Sequence, residues 1–187
     1  RALAPRPQAI LLDEPFSNLD TTLRVQVRTE VHRLLTDLGV TTVFVTHDQD
    51  EAFVLGNRVA VMHEGSVEQF DAPTAVYEHP ATAWIAGFVG DANLIPARAT
   101  GTSADSILGN LVLHSPTNGP VHVLLRPEHL AIADDDSPNS AGAPGVVELI
   151  EYFGHDHVSM IRLDDGTLLR SRRQGNPDVT RGQRVRV

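Results

Sequence analysis

The sequence predicts an α/β domain followed by a small all-β domain, on the basis of three observations. Two short apolar runs, Ala9–Leu12 and Val40–Thr46, each end in ionisable residues, as buried strands of a parallel sheet do. A helical repeat of apolar residues lies between these runs. From residue 93 onward, short β-rich runs alternate with turn residues, which is typical of a small barrel. We therefore expect two domains, residues 1–92 and 93–187.

The composition excludes several classes of protein. The chain has 187 residues and a formal net charge of −9, which argues against general nucleic-acid binding because such binding needs clustered positive charge. There is no cysteine, so disulfides and thiolate metal sites are excluded. No apolar run approaches the roughly 20 residues of a membrane span. No initiating Met or signal-peptide pattern opens the chain, and we expect it to be cut at both ends from a longer protein.

The first apolar run ends in two adjacent carboxylates, Asp13 and Glu14. In open α/β sheets the chemistry collects at the carboxyl ends of the strands, where these two residues would lie. Placing two carboxylates at such a position costs free energy unless a cation or a polarised water shares the site. A magnesium ion with a nucleotide phosphate would supply both. The alternative is a solvated strand end followed by a proline turn.

The next elements follow from capping residues and apolar spacing. Asp20 can cap a helix that reaches about Leu38, with Gly39 as its C-terminal stop. The run Val40–Thr46 is β-branched and apolar on both faces, which predicts a second buried strand with His47 at its carboxyl end. A lone histidine after a strand is usually only a polar cap.

A helix is expected to start at Asp48, where Glu51 completes the pattern of a capping box, and to end at Gly56. We assign only capping and surface roles to Gln49, Asp50 and Glu51. A hairpin around residues 64–66 and two short helices should follow. Trp84 and Phe88, four residues apart, are expected to be packing residues of the second short helix.

In the second domain, the expected strands are short and are separated by turns. Turn signals stand at Asn118-Gly119 and at residues 164–166, and residues 134–145 should form a mobile loop. The expected strands are Leu111–Leu113, Val121–Leu125, Leu130–Ala133, Val146–Tyr152, Val158–Leu163 and Thr167–Arg170.

Two polar clusters invite a metal-site interpretation and are more simply explained otherwise. The first is His155, Asp156 and His157. On a strand the two histidines would share a face, but no third ligand or second shell is recognisable, so a turn before a strand is the simpler prediction. The acidic run Asp134–Asp136 lacks the glycine and the terminal glutamate of a calcium-binding EF-hand loop. We interpret it as solvated loop.

Three segments of the first domain together resemble one protein family. They are LLDEP (Leu11–Pro15), SNLD (Ser17–Asp20) and TTVFVTHDQDEA (Thr41–Ala52). They are similar, in order and spacing, to the Walker B, D-loop and switch-histidine segments of the ATP-binding subunits of ABC transporters. The resemblance implies a partial P-loop NTPase sheet in residues 1–92.

The second domain extends this resemblance to the importer branch of the family. Arg126-Pro127-Glu128 and Val146–His157 look like its transport-associated OB (TOBE) tail. The segments EPFSNLD (Glu14–Asp20) and FVGDANLI (Phe88–Ile95) are closest in appearance to members that serve ferric iron, polyamines or sulfate-type anions.

The resemblance implies that ATP and Mg are the cofactors and gives four residues a role. Asp13 would help to hold magnesium, and Glu14 would polarise the attacking water as general base. His47 would contact the γ-phosphate and sense its departure. Asp20, a good N-cap in its own right, would also lie in the D-loop that crosses the dimer interface and borders the cofactor.

The resemblance also implies partners and a location. These partners are a second ATP-binding subunit in a homodimer, the membrane permease subunits and, indirectly, a solute-binding protein. The place of action would be the cytoplasmic face of the cell membrane. No nucleic-acid partner is expected.

One departure from the family pattern has a direct consequence. All 15 basic residues are arginine, and a P-loop needs a lysine to reach the β- and γ-phosphates. We therefore expect the P-loop and the signature motif to lie upstream in a longer subunit, and this chain alone to be inactive. Two other functions remain open: a small-ligand-binding or regulatory OB-like module, and a non-transport ABC-type ATPase. The β-rich tail makes the second of these the weaker alternative.

Overall fold

The computed structural model describes residues 7–135 and 142–187. The chain divides into two compact units, Arg1–Ile85 and Ala86–Val187. The fold class, mixed α/β followed by a small OB-like all-β domain, is confirmed. The boundary that the sequence predicts, after residue 92, stays a prediction. Arg1–Ala4, whose position before Pro5 and Pro7 predicts the last turn of a helix, lie outside the described residues.

The first unit alternates strands and helices before it ends in a hairpin and two short helices. Its elements are β1 (Ala9–Asp13), α1 (Thr21–Leu38), β2 (Thr41–Val45), α2 (Gln49–Leu55), β3 (Val59–His63), β4 (Ser66–Asp71), α3 (Pro73–Glu78) and α4 (Ala83–Phe88), the last of which spans the division between the units.

Strands β1 and β2 pair in parallel, with Ala9 opposite Thr41 and Asp13 opposite Val45. The expectation that both strands are buried on both faces is wrong for the described residues. Ile10 is buried, but Leu11 is 70% exposed and Val43, its register partner, is 52% exposed. One face of this two-stranded sheet packs inward while its other face remains open, because no described element covers it.

Both helices that flank β2 begin and end at the predicted residues. Asp20 caps α1 by accepting hydrogen bonds from the backbone N–H groups of Thr22 and Leu23. Gly39 ends α1 with a φ of 63°, a conformation that glycine adopts without steric cost. Asp48 caps α2, because its Oδ1 accepts a hydrogen bond from the backbone N–H of Glu51 at 3.1 Å.

The hairpin of β3 and β4 turns where the sequence predicts, at Glu64 and Gly65, both of which have positive φ. The packing of α4 involves more residues than the predicted pair. Trp84 does pack, with its ring 3.9 Å from that of His63, but the fully buried residues of this helix are Ile85 and Ala86.

The second unit contains a five-stranded sheet with the strand order β10-β9-β8-β11-β7 and a separate long hairpin of β5 and β6. Its strands and its single described 3-10 turn are β5 (Asn93–Ser106), β6 (Gly109–Leu125), the 3-10 helix Pro127–His129, β7 (Ala133–Asp134), β8 (Pro144–Tyr152), β9 (Asp156–Leu163), β10 (Leu168–Gln174) and β11 (Arg184–Arg186). Its core is entirely aliphatic and consists of Ile95, Leu130, Ala143, Val147, Ile161, Leu163, Leu169, Val179 and Val185.

The long hairpin corrects two sequence predictions. Leu111–Leu113 and Val121–Leu125 are parts of one continuous strand, β6, and β5 was not predicted at all. Asn118-Gly119 is not a turn, because Gly119 pairs with Ala99 within the ladder. The side chain of Asn118 instead accepts a hydrogen bond from the N–H of Gly101, beside the position where the register shifts.

The segment after β6 also differs from the prediction. Leu130–Ala133 is not a strand; a 3-10 turn precedes it and only Ala133–Asp134 pairs, with β11. Of the predicted mobile loop, residues 134–145, the central part lies outside the described residues, and Pro144 already belongs to β8. The turn at residues 164–166 is confirmed by a φ of 92° at Gly166.

Arg126 binds residues 86–91, which the sequence assigned to the first domain and which belong to the second unit. It is only 4% exposed, and its Nη1 donates to the carbonyl groups of Ala86, Gly90 and Asp91 at 2.8, 3.3 and 3.0 Å. A cation at a helix C-terminus satisfies carbonyls that the helix itself leaves without donors. These bonds join residues 86–91 to the end of β6 within the second unit.

We predict that Arg126→Met destabilises the second unit by about 2 to 4 kcal/mol, because methionine keeps the aliphatic stem but leaves buried carbonyls without their charged donor. Amide hydrogen exchange of β8 and β9 measures this change directly. Arg98→Met, at an exposed arginine of β5, is the matched control and should change stability by less than about 0.5 kcal/mol. Equal protection in the two variants would contradict the prediction.

Candidate functional site

The register of β1 and β2 brings the predicted site residues to one edge of the first unit. Asp13 is the last residue of β1 and lies opposite Val45, the last residue of β2. The backbone N–H of Glu14 donates to the carbonyl of Val45 at 2.7 Å, so the pairing continues one residue past the strand. Glu14 and His47 therefore leave the two strands at the same level.

Glu14 has an unusual backbone conformation, with a φ of 43°. Non-glycine residues in this region carry about 1–3 kcal/mol of strain and persist only where their surroundings enforce it. Here the carbonyl of Glu14 accepts hydrogen bonds from the N–H and the Oγ of Ser17, at 3.2 and 3.0 Å. These bonds close a turn, so the extended conformation of β1 does not continue past Glu14.

The Glu14 carboxylate contacts the His47 imidazole directly. Oε1 of Glu14 and Nδ1 of His47 are 3.0 Å apart, and both side chains are substantially exposed. The hydrogen bond and the charge of Glu14 raise the pKa of His47 above its ordinary value, and the charges of Asp48 and Glu51 add to this effect. The imidazolium form, which donates from both ring nitrogens, is thereby favoured.

The side chain of Glu51 stabilises the loop that carries His47. Glu51 was predicted to have a capping and surface role, but it is 3% exposed, so the surface part of that prediction is wrong. Oε2 of Glu51 accepts a hydrogen bond from Thr46 Oγ1 at 2.7 Å, and that hydroxyl accepts from the N–H of Asp48 at 3.0 Å. The reciprocal capping-box bond is thus routed through Thr46.

Asp20 acts as the N-cap of α1, as the sequence predicts. One turn into the helix, Arg24 donates from Nη2 to the carbonyl of Leu19 at 3.1 Å. Its Nη1 lies 3.4 Å from Oδ2 of Asp48. Among the described residues, no hydrogen bond or ion pair joins Asp20 to Glu14 or His47.

Asp13 has the chemistry that magnesium requires but supplies only one side chain. Its carboxylate is exposed, and no other residue described by the structure engages it. Carboxylate oxygen is the ligand type that Mg²⁺ prefers, and a protein commonly offers this ion one or two such groups beside phosphate oxygens. The residues present therefore fit a magnesium ion that is held jointly by Asp13 and a nucleotide.

No cluster of three or more potential metal ligands occurs in the described part of the chain. His155 and His157, which would share a face on a regular strand, do not do so. His155 precedes β9 and is exposed, whereas His157 is 1% exposed and its Nδ1 lies 3.0 Å from the carbonyl of Gly175. This arrangement agrees with the prediction of a turn before a strand.

Sequence reasoning missed the supporting residues of the site: Arg24, Thr46 and the buried role of Glu51. For Thr46 and Glu51 a signal was available, because a hydroxyl two residues before the N-cap can take the place of its backbone partner in a capping box. For Arg24 there was none, since an arginine in the first turns of an amphipathic helix normally faces solvent.

The described helices include none that is long and apolar enough to cross a membrane.

Comparison with known proteins identifies relatives of both units. Residues 123–187 match the TOBE domain family. The spermidine/putrescine import ATP-binding protein PotA of Ruegeria pomeroyi is 40% identical over 199 residues, which cover 100% of this chain and 54% of that protein. The Fe(3+) ions import ATP-binding protein FbpC of Pseudomonas fluorescens is 44% identical over 156 residues, covering 83% and 44%.

The sn-glycerol-3-phosphate import ATP-binding protein UgpC of Cereibacter sphaeroides is 39% identical over 189 residues, covering 100% of this chain and 53% of that protein. The chain thus spans about half the length of the curated relatives it matches. Polyamine and ferric-iron importers, two of the three solute types that the motifs suggested, are among these relatives, while the glycerol-phosphate importer was not anticipated.

The resemblance drawn from the Walker B, D-loop and switch-histidine segments is therefore confirmed, as is the TOBE-like tail. The chain is homologous along its whole length to part of the ATP-binding subunits of ABC importers, and it carries a TOBE domain at residues 123–187.

Proposed function

We propose that this chain supplies the hydrolytic side of a Mg–ATP site in a subunit that energises solute import through an ABC transporter. The observation that carries the proposal is the 3.0 Å contact between Glu14 and His47, one residue beyond Asp13, where two parallel strands end. Phosphoryl transfer mainly requires that a protein position the reacting groups and neutralise the charge of the phosphates. An acid for the cation, an acid for the water and an imidazole for the phosphate would form the hydrolytic part of such a site, without the P-loop that binds the phosphates.

Each of these residues has a separate role. Asp13 would hold the magnesium ion that accompanies ATP, which when bound would supply charge neutralisation at the phosphates. Oε1 of Glu14 is occupied by His47, which orients the carboxylate and leaves Oε2 to accept a proton from the attacking water. His47, with its pKa raised by Glu14, donates from Nδ1 to Glu14 and from Nε2 to a phosphate oxygen.

The partners and the location follow from the relatives and belong to this proposal. Their names describe import ATP-binding proteins, which implies permease subunits in the membrane and a solute-binding protein that delivers the cargo. We further propose a homodimer in which Asp20 and its turn face the second subunit. The subunit would then act at the cytoplasmic face of the cell membrane.

The roles of Asp13 and Glu14 are separable in the complete subunit. Asp13→Ala should weaken Mg–nucleotide binding as well as turnover, because the cation is needed in the ground state and in the transition state. Glu14→Gln should preserve binding and lower turnover by roughly 10²- to 10⁴-fold, because the amide keeps the shape but cannot act as a base. The Glu14→Gln protein should accumulate as a nucleotide-bound dimer, since opening waits on phosphate release.

The measurements are phosphate release and size-exclusion chromatography with Mg and ATP. Glu30→Gln, at an exposed carboxylate on α1, is the control and should behave as the wild type. His47→Ala should lose turnover with weaker trapping of the dimer. If Asp13→Ala and Glu14→Gln behave identically in both assays, the division of labour between them is wrong.

The isolated 187-residue chain should release phosphate from ATP only at the buffer background. It contains no lysine that could form a P-loop, so the largest contribution to phosphate binding is missing. The assay is phosphate release with Mg and ATP, compared with the chain carrying Glu14→Gln. Turnover by the wild-type chain that this substitution abolishes would refute the prediction.

The contact between Glu14 and His47 should be visible in the titration of His47. Its pKa should lie above 6.5, and Glu14→Gln should lower it, because the amide removes both the charge and the charged hydrogen bond. A raised pKa in the folded state means that the pair stabilises the fold fully below pH 6.5 and that this contribution is lost as the pH rises through the raised value. Nuclear magnetic resonance of the His47 ring measures it, with Asp50→Asn as the control that should leave the titration unchanged.

A further inference from the structure

Arg24 connects two segments that border the proposed site without touching any of its proposed catalytic residues. It is the fourth residue of α1, and its backbone N–H donates to the carbonyl of Asp20, as expected in the first turn of a helix. Its side chain runs back toward the helix N-terminus, where Nη2 donates to the carbonyl of Leu19. The guanidinium is thus anchored to the turn that precedes α1.

The other arm of the same guanidinium reaches the loop of His47. Nη1 lies 3.4 Å from Oδ2 of Asp48, and the two side chains are 31% and 28% exposed. Oδ1 of Asp48 is already used to cap α2 through the N–H of Glu51. Each oxygen of this carboxylate therefore has a distinct role: one fixes the helix that follows His47, and the other fixes the loop to α1.

Asp48 is adjacent to His47, and the intervening backbone is held rigidly. The N–H of Asp48 donates to Thr46 Oγ1, and this hydroxyl is bonded to the buried carboxylate of Glu51. A shift of Asp48 consequently moves His47 with it, because Thr46 and Asp48, the residues on either side of His47, are hydrogen-bonded to each other. A displacement of about 1 Å at a catalytic group is enough to cost up to about 100-fold in rate.

We propose that Arg24 is a positioning residue: its two-armed guanidinium sets the place of His47 relative to the turn of Ser17–Asp20. This inference rests on the proposed function for its consequence in turnover, while the geometric link is a property of the first unit alone. A lysine would keep the charge but not the planar fork that satisfies a carbonyl and a carboxylate at once.

The first test concerns geometry and uses the 187-residue chain. Arg24→Gln and Asp48→Asn should each shift the ring resonances of His47 in a carbon–proton correlation spectrum. Asp48→Asn is informative because asparagine caps a helix as well as aspartate does, so α2 is kept while the ion pair is lost. Arg33→Gln removes the same charge from an exposed site on α1 and should leave His47 unchanged.

The second test concerns turnover and uses the complete subunit. Arg24→Gln should lower kcat by about tenfold or more with a change in KM below about twofold, since a misplaced His47 affects the transition state more than nucleotide binding. Arg24→Lys should not restore kcat. The double variant Arg24→Gln with Asp48→Asn should cost no more than the more severe single variant, because both remove one interaction.

These outcomes separate failure of the inference from failure of the proposed function. If wild-type subunit hydrolyses ATP and Glu14→Gln does not, but Arg24→Gln retains wild-type kcat and KM, the positioning role is refuted alone. An unchanged His47 resonance in both Arg24→Gln and Asp48→Asn also refutes it. If the wild-type subunit shows no turnover, the proposed function fails, and the His47 spectrum still decides the geometric link. Circular dichroism of α1 and α2 checks that the variants are folded.

Discussion

The parallel pairing of β1 and β2 is the constraint on which the candidate site depends. Its register fixes Asp13 opposite Val45, and the additional bond from Glu14 N–H to the Val45 carbonyl carries the alignment one step beyond the strands. A register slip of one residue would turn Asp13 to the other face of the sheet and separate Glu14 from His47. The contact of 3.0 Å between these two side chains is therefore a consequence of backbone pairing rather than of side-chain attraction alone.

The site combines strained and buried features that a stable fold would otherwise avoid. Glu14 has a φ of 43°, and Glu51 is a carboxylate with 3% exposure. Each is held by local hydrogen bonds: Ser17 donates to the carbonyl of Glu14, and Thr46 donates to Oε2 of Glu51. Strain and buried polar groups held by local hydrogen bonds are typical of places where a side chain must be positioned accurately.

Local signals made most of the first unit predictable, whereas the errors arose where tertiary context decides. Capping residues such as Asp20 and Gly39 act within one helical turn, so the sequence alone placed α1 correctly. The failed turn at Asn118-Gly119 shows the limit, because a glycine with positive φ serves equally in a hairpin turn or inside an irregular ladder. Likewise, spacing predicts that Asp13, Glu14 and His47 lie at neighbouring strand ends. It does not predict which groups the Arg24 side chain contacts.

The exclusive use of arginine gives the two units a common structural device. All 15 basic residues are arginine, and several use the planar guanidinium to join groups that lie apart in sequence. Arg24 joins Leu19 to Asp48, and Arg126 gathers three carbonyl groups between Ala86 and Asp91. In both cases the guanidinium binds backbone carbonyls near a helix end, before α1 for Arg24 and at and beyond the end of α4 for Arg126. A lysine ammonium is a compact point charge without that fixed fork, so neither position should tolerate it equally well.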